Sequence, residues 1–112
     1  MSLREEQSTF ALDVMRLFIW LHDNGYDWTF GEAQRTAEQQ KIYVDTGRSK
    51  TMNSFHLKRL AIDLFIFKGG RLLATKEEMQ PVGDAWERMS TKNKWGGNWQ
   101  FKDIPHFERR AA

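Results

Sequence analysis

Hydrophobic residues recur at helical spacing at the start of the chain. From about Leu3 to Asn24 the side chains on one face are Phe10, Val14, Leu17, Phe18 and Leu21. Ser2 and Glu5 form a capping-box pattern before this stretch, and Gly25 is a natural helix end. The pattern therefore predicts one long helix with a single apolar face.

A second amphipathic helix is predicted behind Thr75 and Glu78, which repeat the capping-box pattern. Its apolar face carries Met79, Val82, Trp86 and Met89. Because Pro81 lacks a backbone N–H, we expect it to kink or restart this helix. A further helix is predicted over residues 36–45.

Alternating or continuous apolar residues predict strands elsewhere in the chain. Residues 26–30 alternate between aromatic and polar side chains, which is typical of a half-buried strand. Residues 60–67 are apolar at all positions but one, and the two glycines that soon follow predict a tight hairpin turn. Residues 95–99 are expected to form a turn between large rings, and residues 101–109 a final strand.

Composition is consistent with one folded domain. The chain has 112 residues, of which 40% are hydrophobic, and a net charge of +2. A chain of this size can form one hydrophobic core. We therefore predict one α+β domain over residues 1–112, with a small, mainly antiparallel sheet and helices packed on one side.

Several classes of protein are excluded or disfavoured. The absence of cysteine rules out disulfides and thiolate ligands. No apolar run approaches the roughly 20 residues of a membrane span, and residues 1–6 lack the layout of a signal peptide. We therefore expect synthesis in the cytoplasm, no membrane insertion and a monomeric protein. Since both signs of charge are interleaved, we expect no nucleic-acid binding at physiological salt.

Asp63 is the one charged residue inside the apolar stretch over residues 60–67. Burying an unpaired carboxylate is costly, so Asp63 is paired, binds a metal or lies on the solvent face of an edge strand. His56 precedes Asp63 by an odd number of residues, which places the two side chains on opposite faces of one continuous strand. They converge only if His56 belongs to the loop before the strand. Otherwise His56 is a surface or hydrogen-bonded core histidine.

His106 and Glu108 share one face of the predicted final strand, with Phe107 directed into the core. Asp103 precedes His106 across the bend that Pro105 imposes, so its carboxylate is expected beside the imidazole. The alternative is an edge strand with solvated charges. Two imidazoles and one carboxylate leave a fourth position open on zinc, as in catalytic rather than structural sites.

The segment from Ser54 to Asp63 resembles the Ser-x-His-x-x-Gly-x-Ala-x-Asp signature of zinc peptidases that cut bacterial cell-wall peptides. These peptidases include D-alanyl-D-alanine carboxypeptidases and dipeptidases, and phage L-alanyl-D-glutamate endopeptidases. Asp103 and His106 resemble the second signature of the family, an acidic residue three positions before the last zinc-binding histidine.

Two further segments extend the resemblance, which covers about residues 25–108. Residues 34–40 resemble the segment that carries the functional arginine of the family, and residues 95–99 resemble a stretch of phage endolysins. The main departure is Arg59, where the family usually has glycine. We expect a positive φ or a close backbone approach at this position.

The resemblance implies a hedgehog/DD-peptidase-like fold and one Zn²⁺ per chain, bound by His56, Asp63 and His106. It also implies that Asp103 is the general base for the attacking water and that Arg35 stabilises the oxyanion of the tetrahedral intermediate. Without the resemblance, Arg35 would be interpreted as a solvated or salt-bridged residue before a helix.

The resemblance also implies that Ser54 contacts the substrate. Trp95 and Trp99 are predicted to line the substrate groove, although core packing is the default for tryptophan. The predicted function is zinc-dependent hydrolysis of a peptidoglycan stem peptide on the cell wall after release, by an endolysin-type L-alanyl-D-glutamate endopeptidase. The alternatives are a D,D-carboxypeptidase or dipeptidase of the same family, and a non-catalytic cell-wall binding module.

Overall fold

The structure is a computed structural model that describes residues 1–31 and 58–111. The helix predicted over residues 36–45 lies outside the described residues. The elements in chain order are α1 (Leu3–Asp23), β1 (Asp27–Phe30), β2 (Ala61–Lys68), β3 (Arg71–Leu72), α2 (Lys76–Met89), β4 (Asn93–Trp95), a 3-10 turn (Gly96–Asn98) and β5 (His106–Arg109). No helix in the described part of the chain has the length and apolarity needed to cross a membrane.

Both helices in the described residues begin at the predicted capping residues. The Ser2 hydroxyl accepts a hydrogen bond from the backbone N–H of Glu5, whose carboxylate accepts one from the N–H of Ser2. Thr75 caps α2 by accepting from the N–H of Glu78. Pro81 lies inside a single helix, so the expected restart at this residue is wrong.

All strand pairs among the described residues are antiparallel, which confirms the predicted sheet. The main order is β1-β2-β5-β4, and β3 pairs with the end of β2. The start of β2 pairs with β5 in a register that sets Ala61 opposite Glu108 and Asp63 opposite His106. The two strands that carry the candidate metal ligands are therefore neighbours, as the sequence predicts.

One face of the sheet packs against the helices to form the core. Alternation along β2 turns Ile62, Leu64 and Ile66 to this face, and Phe107 of β5 joins them fully buried. Trp86 of α2 makes edge-to-face contacts with both Phe10 of α1 and Phe107. Asp63 and His106, which alternate with these residues, therefore belong to the opposite face.

A buried ion pair links the two ends of the described chain. Arg109 of β5 donates through Nε to a carboxylate oxygen of Glu6 in α1 at 3.2 Å, and both side chains are only 4% exposed. Lys92 donates to the same carboxylate at 3.0 Å. Because burying a charge is favourable only when it is paired, these contacts fix the start of α1 against β5.

The last third of the chain differs from the prediction in two places. Residues 93–95 form strand β4 and residues 96–98 a 3-10 turn, where only a turn is predicted. The final strand is restricted to His106–Arg109 because residues 103–106 form a turn, closed by a hydrogen bond from the N–H of His106 to the carbonyl of Asp103.

Arg59 adopts φ = +57°, which confirms the expectation of a positive φ at this position. The left-handed region places a Cβ close to the following carbonyl, and glycine avoids that cost. The turn precedes β2 directly, and the carbonyl of Lys58 accepts a hydrogen bond from Gln7 of α1 at 2.8 Å. The conformation is thus held by its neighbours although Arg59 is strained in it.

Replacing Arg59 by glycine should stabilise the protein. We expect a gain of about 0.5–1 kcal/mol, since relief of about 1–2 kcal/mol of strain exceeds the added entropy of the unfolded chain. Urea unfolding of parent and variant measures it. Arg59→Ala, which keeps a Cβ, and Lys58→Gly, at an adjacent position, are the matched controls. An equal gain from Arg59→Ala would show that the side chain and not the backbone is responsible.

Candidate functional site

The site is built around His106, the first residue of β5. Its Nδ1 lies 3.3 Å from Oδ1 of Asp63 on the neighbouring strand. The His106 side chain is 7% exposed and that of Asp63 17% exposed, so both groups lie largely out of solvent. Asp63 therefore does not lie on an edge strand, and it faces an imidazole across two central strands.

Asp103 approaches the same nitrogen from the turn before β5. Its Oδ2 lies 3.9 Å from Nδ1 of His106, and its side chain is 47% exposed. The turn over residues 103–106 thus brings the Asp103 carboxylate beside the His106 imidazole, as the spacing of the two residues predicts. Asp103 is the most accessible of the three side chains, which suits a group that exchanges protons.

Two hydrogen bonds from the β4 end hold this turn in place. The carbonyl of Gly96 accepts the N–H of Asp103 at 3.0 Å, and the indole N–H of Trp95 donates to the carbonyl of Ile104 at 2.7 Å. A Cβ on Gly96 would lie far inside van der Waals contact of the Asp103 carbonyl oxygen. The backbone of Asp103 is therefore fixed by residues of the preceding turn.

Trp95 does not line a groove in this structure. Its side chain is fully buried, with its ring packed where Gly83 of α2 and Gly97 leave room for it. The indole of Trp95 belongs to the core, the default for tryptophan, and it contacts the turn of the site through the carbonyl of Ile104. Trp99 is the half-buried tryptophan at the site, with its ring 5.1 Å from the His106 ring.

On its other side, His106 contacts Glu108. Nε2 of His106 lies 2.7 Å from Oε1 of Glu108, whose side chain is 4% exposed. The second oxygen of Glu108 accepts from Nε of Arg110 at 2.8 Å. The guanidinium of Arg110 also lies over the ring of Trp99, at 5.6 Å from its centre. Glu108, Arg110 and Trp99 thus lie around the side of the imidazole that points away from Asp63.

These contacts set the protonation of the pair. Burial is the largest influence on His106 and lowers its pKa, but the hydrogen bonds to Asp63 and Glu108, together with the negative charges of these two carboxylates, outweigh it and raise the pKa to about 9. For Glu108, burial favours the neutral acid, yet the bonds from His106 and Arg110 lower the pKa below its ordinary value. A cation that binds Nδ1 must therefore displace a proton from this imidazole.

The chemistry of Asp63 and His106 fits a zinc ion. Two ligands about 2.0–2.1 Å from a tetrahedral ion lie about 3.3 Å apart, which matches the separation of Nδ1 and Oδ1. The two donors are an imidazole and a carboxylate, both ordinary zinc ligands. Residues 1–31 and 58–111 alone contain no cluster of three or more donors placed to hold a metal ion.

Three of the predicted site residues lie outside the described residues. They are His56, the predicted third ligand, together with Arg35 and Ser54. Within the described part, the structure brings together Asp63, His106 and Asp103. It also brings Trp99 to this site, together with Arg110, which the sequence analysis did not single out. The alternation of β5 could have indicated Arg110, because Arg110 follows Glu108 at the same spacing at which Glu108 follows His106, and side chains at this spacing lie on one face of a strand.

The chain is similar to known peptidases. A family model described as D-alanyl-D-alanine carboxypeptidase matches residues 47–109, more than half of the chain. The L-alanyl-D-glutamate peptidase of Listeria phage A118 is 34% identical over 99 residues, which cover 83% of this chain and 34% of the relative. The chain thus spans about a third of the length of that curated relative.

A solved structure has a similar fold. The L-Ala D-Glu endopeptidase ChiX of Serratia marcescens matches with a TM-score of 0.71 and 24% sequence identity, over 96% of this chain and 85% of the other. At this level of identity the match supports the α+β fold, including the antiparallel sheet that carries Asp63 and His106.

Replacing Gly96 by alanine should destabilise the protein and shift Asp103. The added methyl group overlaps backbone, so we expect a loss of about 1–3 kcal/mol, typical of overpacking. Urea unfolding measures the loss, and the amide shift of Asp103 in ¹H–¹⁵N spectra reports the displacement. Asn98→Ala, on the exposed end of the same turn, should cost less than about 1 kcal/mol. A parental Asp103 shift in Gly96→Ala would contradict this account.

Proposed function

The chain belongs to the family of peptidases described as D-alanyl-D-alanine carboxypeptidase, and from this premise we propose that it hydrolyses a peptide bond of bacterial peptidoglycan with one bound zinc ion. The observation that carries the proposal is the placement of Asp63, His106 and Asp103. A carboxylate and an imidazole face each other at ligand separation, and a second, half-exposed carboxylate lies 3.9 Å from the same nitrogen.

In this proposal His56, Asp63 and His106 hold the ion. When bound, zinc supplies Lewis acidity, which polarises a carbonyl group and lowers the pKa of water. The antiparallel register between β2 and β5 keeps Asp63 and His106 in place, so two of the three ligands are positioned by the sheet itself.

Asp103 acts as the general base. Its carboxylate accepts a proton from the water that attacks the carbonyl carbon, and it passes that proton to the leaving amine as the C–N bond breaks. Arg35 stabilises the negative charge that develops on the carbonyl oxygen, because a guanidinium stays charged at any working pH. Ser54 contacts the substrate.

The bond that we propose is cleaved is the one between L-alanine and D-glutamate in the stem peptide. The phage relative carries that activity in its name and is 34% identical over most of this chain. The description of the family model favours the second candidate, removal of a terminal D-alanine. Both reactions use the same ligands and base, so the products distinguish them.

Digestion of purified muropeptides tests the proposal. We expect zinc-dependent release of products that carry a new amino group on D-glutamate, abolished by a chelator and restored by added zinc. Free D-alanine, with the L-alanyl-D-glutamate bond intact, would assign the carboxypeptidase reaction instead. If neither product forms while the protein is loaded with zinc, the hydrolase proposal is wrong. A turbidity assay on outer-membrane-permeabilised cells reports whether intact walls are lysed.

Asp103→Asn should lower hydrolysis by about 10²–10⁴-fold, the usual contribution of a general base. Zinc content measured by mass spectrometry should remain at the parental value, because Asp103 is not one of the proposed ligands. Asp84→Asn, an exposed aspartate of α2, is the control and should keep full activity. Parental hydrolysis by Asp103→Asn would refute the assignment of the base.

A further inference from the structure

Glu108 is a buried carboxylate that the proposed reaction does not use. One of its oxygens lies 2.7 Å from Nε2 of His106, and its side chain is 4% exposed. The second oxygen of Glu108 already accepts a hydrogen bond from a guanidinium, and a carboxylate in this position is suited to accept the bond from Nε2 as well, which favours a proton on Nε2. Nδ1 is then the nitrogen left to face Asp63, at 3.3 Å.

Glu108 is itself held in place. Arg110 donates to its second oxygen at 2.8 Å, and the Arg110 guanidinium lies over the ring of Trp99. The Trp99 ring in turn lies 5.1 Å from the ring of His106. Glu108 and Trp99 thus both contact the imidazole and are linked to each other through Arg110. These neighbouring side chains determine the orientation of the His106 ring.

We propose that Glu108 is a positioning residue that fixes His106 with its proton on Nε2 and its Nδ1 directed toward Asp63. This inference rests on the proposed metal centre. A carboxylate behind a metal-bound histidine orients the ring and makes it a stronger ligand. Arg110 supports this arrangement, because it donates to the second oxygen of Glu108 and so holds that carboxylate beside Nε2.

The position of Glu108 does not suit a general base. Its carboxylate lies on the Nε2 side of the ring, whereas both Asp63 and Asp103 approach Nδ1. Both of its oxygens are engaged, one by His106 and one by Arg110. Asp103 is 47% exposed beside Nδ1, and so it can meet a water molecule where Glu108 cannot.

Zinc affinity and histidine spectra test the assignment. In zinc-loaded parent protein, long-range ¹H–¹⁵N spectra should show His106 coordinated through Nδ1 and protonated on Nε2. Glu108→Ala should weaken zinc binding by about 10–100-fold, the usual effect of removing such a partner, and should lose the protected Nε2–H signal. Glu108→Gln should restore that signal and part of the affinity, since an amide oxygen still accepts the bond without the charge.

Arg110→Met provides a variant that leaves the contact with His106 intact. Its zinc affinity should lie between those of the parent and Glu108→Ala, because Glu108 loses one of its two partners. Glu77→Ala and Arg88→Met, both exposed on α2, are the matched controls and should bind zinc like the parent. Affinities are measured by competition with a chromophoric chelator, and circular dichroism checks that each variant folds.

The outcomes are separable. Coordination of zinc through Nε2 in the parent, or parental affinity in folded Glu108→Ala, overturns the role of Glu108 and leaves the proposed function intact. If Glu108→Ala does not fold, parental affinity in both Glu108→Gln and Arg110→Met overturns it, and weaker binding than in the controls supports it. A parent protein that binds no zinc overturns the metal centre and this assignment together.

Discussion

The pairing of Asp63 with His106 across β2 and β5 is the constraint on which the site depends. Side chains alternate between the two faces of a sheet, so a slip of one residue would turn His106 into the core and bring Phe107 to the site. The fully buried ring of Phe107 makes that slip costly, since it packs edge-to-face on Trp86. The apolar face of the sheet thus enforces the register of the polar face.

Charges reinforce the same register. Arg109 lies one residue from Glu108 but on the core face, where it pairs with Glu6 of α1 while Glu108 pairs with His106. Each buried charge of β5 therefore has a partner on its own side of the sheet. A buried ion pair adds little net stability over an apolar pair, but breaking one is costly, so these contacts select one arrangement of the strand.

Much of this architecture is predictable because it is encoded locally. The caps, the apolar face of α1 and the hairpin glycines lie within a few residues of the structure they specify, and the expected positive φ at Arg59 is confirmed. Partners distant in sequence are not predictable in this way. Glu6 lies at a position that fits the helical spacing of the core-facing residues of α1, but its partner Arg109 is 103 residues away, and no local pattern indicates that pairing. Strand β4 is short, and a tryptophan-glycine segment gives no alternation to reveal it.

The site residues differ in solvent exposure, and this difference matches the roles proposed for them. His106 and Asp63 are largely buried on paired strands, where a metal ligand benefits from a fixed geometry. Asp103 lies in a turn and is about half exposed, where a proton-transfer group can reach water and substrate. The turn is nevertheless anchored, because the buried indole of Trp95 donates to Ile104. The core therefore positions the accessible carboxylate through the backbone, and leaves its side chain open to the reaction.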